Sequence, residues 1–161
     1  MIMNFGFSYI GLIYLAMLFI PNVFWIKNKP DGYDKSVKTE NKMLKIFESI
    51  GQIFVTCIVL VFKDFNVKFG SLWIIWLILS FLFMMLYEIY WVKYFKSKKT
   101  MEDFYSSLLG IPVAGATLPC ISFLILGIYG KNILLIIAVI ILSIGHIGIH
   151  INHKKELIKF I

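Results

Sequence analysis

Three histidines, His146, His150 and His153, are the only ones in the chain, and all lie in residues 143–155, SIGHIGIHINHKK. On a helix, positions i, i+4 and i+7 share one face. The spacing therefore predicts an imidazole row on a helix otherwise made of Ile and Gly. Imidazoles at i and i+4 can meet one metal, which makes His146 and His150 candidate ligands for zinc, copper or haem. Glu48 or Glu88, each in another apolar run, could complete a catalytic zinc set, although His-Glu-x-x-His is absent. A glutamate–histidine pair could equally transfer a proton to a membrane-soluble substrate, or relay protons or cations. No motif demands a cofactor. There is no Gly-x-Ser-x-Gly, no phosphate loop and no dinucleotide fingerprint. Cys57 and Cys120 sit inside apolar runs without Cys-x-x-Cys, which excludes thioredoxin-like redox chemistry.

The elements that must position these groups are membrane spans. The chain has 161 residues, 60% of them hydrophobic, where a soluble domain of this length is about half apolar. The excess falls in blocks separated by short lysine-bearing segments, and about 20 apolar residues cross a bilayer. Five spans are expected, at 5–26, 46–62, 71–92, 104–129 and 133–152, in one transmembrane domain covering 1–161. The fold class is all-α, an integral membrane bundle. Residues 1–26 carry no charge, no basic n-region and no small-residue cleavage site, so the first run is read as a retained span. Pro21 and Asn22 fall near its end, where a proline kinks or ends a helix, and Trp25 suits the interface.

Other features set expectations for single elements. Lys29-Pro30-Asp31-Gly32-Tyr33 has turn chemistry. From Ser36, the residues Val37, Asn41, Met43, Leu44 and Phe47 suggest an amphipathic stretch on the membrane, with a solvated loop as the alternative. Glu48, Gln52 and Thr56 recur every four residues as a polar stripe. Residues 63–70 read as a tight turn, and Tyr90, Trp91 and Tyr94 as an aromatic belt at the interface. Thr100 and Asp103 form a capping box that should start the fourth helix. Pro112 and Pro119 should bend it. Ser106, Gly110 and Ala114 offer small-xxx-small spacing for a helix contact, and with it a homo- or hetero-oligomer through the 104–129 helix. A broken helix whose freed backbone groups bind a ligand is the other reading of those prolines.

All sixteen basic residues are Lys, and the net charge is +7. They lie in loops between spans, which fits topology and anionic lipid headgroups rather than nucleic acid. Thirteen fall in the 27–45 loop, the 93–103 loop and the tail, against three in the 63–70 and 130–132 turns. The positive-inside rule then places the amino terminus outside, and the 27–45 and 93–103 loops and the carboxyl terminus in the cytoplasm. The expected location is the plasma membrane.

Orientation sets depth. With a rise of about 1.5 Å per residue, Glu88 lies about 7 Å, Glu48 about 5 Å and Gln52 about 10 Å from the cytoplasmic boundary. His150 and His146 lie about 6 and 12 Å in, with Asn22 at a matching depth. Snorkelling to the headgroups is one outcome. A second is that Asn22, Glu48, Gln52, Glu88, His146 and His150 line one cytoplasm-facing cavity, with the histidines as the nearest partners of Glu88 and His153 at the headgroups. A third is pairing that only fastens helices together, such as Glu88 to a histidine.

Three function classes remain open. The first is binding or transport of a small ligand or ion. The second is an accessory or structural subunit, or an immunity-type protein, that uses its fourth span. The third is a membrane-embedded enzyme using His and Glu. Chain length, five spans and four tryptophans resemble the tryptophan-rich sensory proteins, whose proline- and tryptophan-rich motifs are absent here, so no family is assigned.

Overall fold

Backbone N–H and C=O groups in hydrocarbon must bond internally, and a single segment can do that only as a helix. The computed structural model, which describes residues 3–34 and 40–159, is accordingly all-helical and without strands. Helix α1 spans Tyr9–Ile26, α2 Lys42–Val61, α3 Ile75–Lys96, α4 Met101–Phe104, α5 Ala114–Gly130 and α6 Ile133–Lys159. Four stretches are long and apolar enough to cross a membrane: Tyr9–Ile26, Lys42–Val61, Leu72–Lys96 and Ile133–Ile158. The shorter apolar α5 makes the fifth rod of the bundle. Residues 35–39, which hold much of the expected amphipathic stretch, lie outside the described residues. Its continuation from Lys42 is simply the first turn of α2, capped by Asn41, whose side-chain oxygen accepts from the Met43 and Leu44 N–H groups.

Two helix ends differ from expectation at the prolines. Pro21 neither ends α1 nor leaves its last turn frayed: the helix continues to Ile26. Asn22 Nδ2 donates to the Leu18 carbonyl at 2.6 Å, and Tyr87 Oη donates to the same carbonyl at 3.2 Å. These two donors reinforce the turn that proline weakens by lacking an N–H.

The expected single helix over 104–129 does not form. The Thr100–Asp103 capping box is present, but the helix it starts is the one turn of α4. Leu108 and Ile111 then exchange backbone hydrogen bonds, and Leu109 and Gly110 both take positive φ, 50° and 80°. That is the geometry of a primed β-turn, which glycine adopts without steric cost. Ile111 precedes a proline and is biased against helix. Regular structure resumes only at Ala114, with Pro119 inside α5. Ser106, Gly110 and Ala114 therefore do not share a helical face. No residue of α5 is exposed, and the exposed positions of the segment are Ser107, Leu109, Gly110 and Pro112.

Packing is organised by backbone approaches at glycine. The closest pairs are α2 with α6, α3 with α5, and α5 with α6. A Cβ at Gly51 would lie 2.4 Å from Leu142 Cα, and one at Gly145 would lie 2.3 Å from the Glu48 nitrogen. The α2–α6 seam is thus backbone against backbone, which only small residues permit. At the far end of α2, a Cβ on Gly11 would meet the Val59 carbonyl oxygen at 1.9 Å, so α1 crosses α2 there. A buried polar clamp joins α1, α3 and α5. Ser80 Oγ donates to the Ser122 carbonyl (2.8 Å), Ser122 Oγ donates to the Ser80 carbonyl (2.9 Å), and Tyr14 Oη donates to Ser80 Oγ (3.0 Å).

The 63–70 segment is more than a tight turn. Asp64 is 4% exposed and accepts from Asn4 twice, from its backbone N–H at 2.8 Å and its amide at 2.7 Å. Asn66 accepts from the Tyr9 N–H at 2.9 Å and so covers the start of α1. A buried carboxylate thus occurs at the end of the bundle where none was expected.

Candidate functional site

Beyond the Gly11–Val59 crossing, α1 and α2 face each other across a cavity of about 580 Å³. All six helices contribute to its wall. On α2 the lining runs from Glu48 to Cys57, about 14 Å of helix rise. Asn22, Glu48, Gln52, His146 and His150 are in the wall, and so is Thr56, the last member of the polar stripe. Glu88 is not. It lies one residue past Tyr87, which does face the cavity, and its Oε1 is buried without a hydrogen-bond partner among the described residues. A step of one residue turns a helical side chain by about 100°, which is enough to move it out of the wall.

The glutamate that meets a histidine is Glu48. Its Oε1 stands 2.5 Å from His146 Nδ1. A carboxylate can only accept, so the ring N–H donates, and a neutral His146 is held in the Nδ1–H tautomer. The contact follows from the local backbone. Gly145 lets α6 close onto the Glu48 backbone, which brings the next residue of α6 alongside the carboxylate. About a fifth of each side chain remains accessible, 20% for Glu48 and 23% for His146. The His150 ring follows at 4.6 Å from that of His146, with Phe104 and Tyr105 at 5.7 and 5.5 Å.

His153, expected at the headgroups, is buried inside the bundle rather than reaching outward. It is 3% exposed, and its Nδ1 shares a 2.7 Å hydrogen bond with Tyr105 Oη. Glu40 Oε1 approaches its Nε2 at 3.7 Å. It belongs to a small satellite hollow with Glu40, Asn152 and Glu156 rather than to the main cavity. Among the described residues, no group of three His, Cys, Asp or Glu is arranged to hold a metal ion.

The residues that sequence reasoning missed are aromatic. The expected belt of Tyr90, Trp91 and Tyr94 is not at a lipid interface; all three are buried. Tyr90 Oη donates to the Phe104 carbonyl, and Tyr94 Oη donates to the Asn28 carbonyl at 2.7 Å. Trp91 and Tyr87 line the cavity. Trp25 stacks on Phe104 at 5.2 Å and meets Tyr33 edge-on at 4.8 Å, so it too is a wall residue. Burial, with Glu40, Glu48 and Asp34 nearby, pushes the Tyr33 hydroxyl up to about 12, so it stays protonated at neutral pH. A signal was available: Tyr87, Trp91 and Tyr94 recur at i, i+4 and i+7, the spacing of one inward face.

Fold and site together define a small all-helical membrane bundle with a ligand-sized internal cavity and one carboxylate–imidazole pair in its wall. No protein-family model, curated protein or solved structure matches the chain.

Proposed function

We propose that this is a polytopic membrane protein that binds, or passes, a small ligand through the cavity between α1, α2 and α6, with the 27–45 end open to the cytoplasm. The observation that supports this best is the Glu48–His146 pair. A charged side chain inside a span is costly, up to about 3 kcal/mol at the centre on insertion scales. A purely structural bundle gains nothing from keeping such a pair beside empty space, when helix fastening needs only hydroxyls such as the Ser80–Ser122 clamp. The volume, about 580 Å³, falls within the roughly 300–1,000 Å³ of small-molecule sites. The lysine-rich 27–45 loop supports a cytoplasmic opening, and the apolar helices support a cell membrane as the location.

Access is the test. Gln52→Cys, with Cys57 and Cys120 replaced by Ser, should react with a membrane-impermeant methanethiosulfonate in inside-out vesicles and resist it in right-side-out ones. No reaction from either side would refute a water-accessible cavity. Reaction only in right-side-out vesicles would reverse its opening.

A further inference from the structure

We propose that the occupant of the cavity is a hydrophobic organic cation, such as a quaternary ammonium or phosphonium bearing apolar groups, held by the Glu48 carboxylate and aromatic faces. This rests on the ligand-binding reading above and names its ligand class.

The charge of the wall is one-sided. Among the described residues, Glu48 is its only acid and no lysine lines it. An anion would meet a carboxylate and no fixed positive charge. A neutral apolar ligand would strip water from Glu48 and give nothing back. A cation repays that desolvation directly. His146 engages only Oε1, and an ionised carboxylate offers about four acceptor positions, so room remains for a cationic partner.

The wall is also one-third aromatic, seven of its twenty-one residues. Aromatic faces attract a cation within about 6 Å of the ring centroid, most strongly when water is excluded. Two of these rings already do so. Lys29, which is not in the wall, holds Nζ 5.5 Å from the Trp25 centroid and 5.8 Å from that of Tyr33. Its own charge is offset by Asp34 at 3.4 Å. The volume is far more than a bare metal ion needs, and no three-ligand metal group exists among the described residues. The apolar wall from Leu18 and Phe19 to Val55 and Phe123 selects a cation with substantial apolar area.

The experiment uses the full chain in lipid nanodiscs, with empty nanodiscs subtracted and tryptophan fluorescence as readout. Three probes of similar shape are compared: tetraphenylphosphonium, neutral triphenylphosphine oxide and anionic tetraphenylborate. The cation should bind about tenfold more tightly than the oxide, and the borate least. Glu48→Gln should remove that preference while leaving oxide binding within about twofold, which also shows that the variant is folded. Trp25→Leu keeps the charge and should still weaken the cation more than the oxide. If oxide or borate binds as tightly as the phosphonium, or Glu48→Gln changes nothing, the ligand class is wrong while the cavity reading stands. If none of the three binds and the cavity-filling Thr56→Trp alters nothing, the cavity reading fails as well.

Discussion

At the scale of single residues, the Glu48–His146 contact decides how a carboxylate survives inside a span. A hydrogen bond to a charged group contributes about 1.5–3 kcal/mol, and among the described residues no lysine or second acid lines the cavity wall beside Glu48. Glu48→Ala and His146→Ala should each cost about 1–3 kcal/mol, because each leaves the other group desolvated. The double variant should cost clearly less than the sum, with a coupling of about 1 kcal/mol or more. Reversible unfolding in bicelles measures all three. Strict additivity would mean that the pair is not an energetic unit. His153 is a residue of a different kind. It packs against Tyr105 and Tyr33 outside the main cavity, so its loss is expected to act on stability.

At the scale of elements, the α2–α6 seam sets the position of that pair. Gly145 and Gly148 lie one turn apart on α6 and look equivalent in the sequence. They are not. A Cβ at Gly145 would fall on the Glu48 nitrogen and the Leu44 carbonyl oxygen, at 2.3 and 2.5 Å, and backbone cannot step aside. A Cβ at Gly148 would meet only the Leu44 methyl groups at 3.2 Å, which can rotate. Gly145→Ala should therefore cost about 1–3 kcal/mol of overpacking, and should separate Glu48 from His146. Gly148→Ala should stay within about 0.5 kcal/mol, or gain slightly from helix propensity. Equal effects in the same unfolding assay would argue against a backbone-tight seam.

At the scale of the whole molecule, the proposed opening depends on an orientation that only lysine placement argues for. The 63–70 segment carries Asp64 tied to Asn4, and it shares one end of the bundle with the start of α1. The lysine-rich 27–45 segment is at the other end. We expect single cysteines in the 63–70 segment to be labelled from outside intact cells, and those in the 27–45 loop to be labelled only after permeabilisation. Labelling of the 27–45 loop in intact cells would invert the bundle and, with it, the side on which the cavity opens.

Much of this could be read without coordinates. Hydrophobic length alone determines that the chain is a helical membrane bundle, because a single apolar run of about 20 residues can satisfy its own polar groups in lipid only as a helix. The four-residue period of Glu48, Gln52 and Thr56 likewise determines that they share a face. Tertiary structure alone decided which neighbour each face meets. Periodicity carries no information about rotation relative to other helices, so Glu88 and Glu48 looked alike in depth, and only Glu48 faces the histidines. Depth also misled at the aromatic residues. Tyr90, Trp91 and Tyr94 suit an interface, but α4 folds back over them and places Phe104 against the Trp91 and Tyr94 rings and under the Tyr90 hydroxyl. The turn at Leu108–Ile111 depends on two successive positive-φ residues and the following proline, a local conformation that overrides an apolar run long enough to be read as one helix.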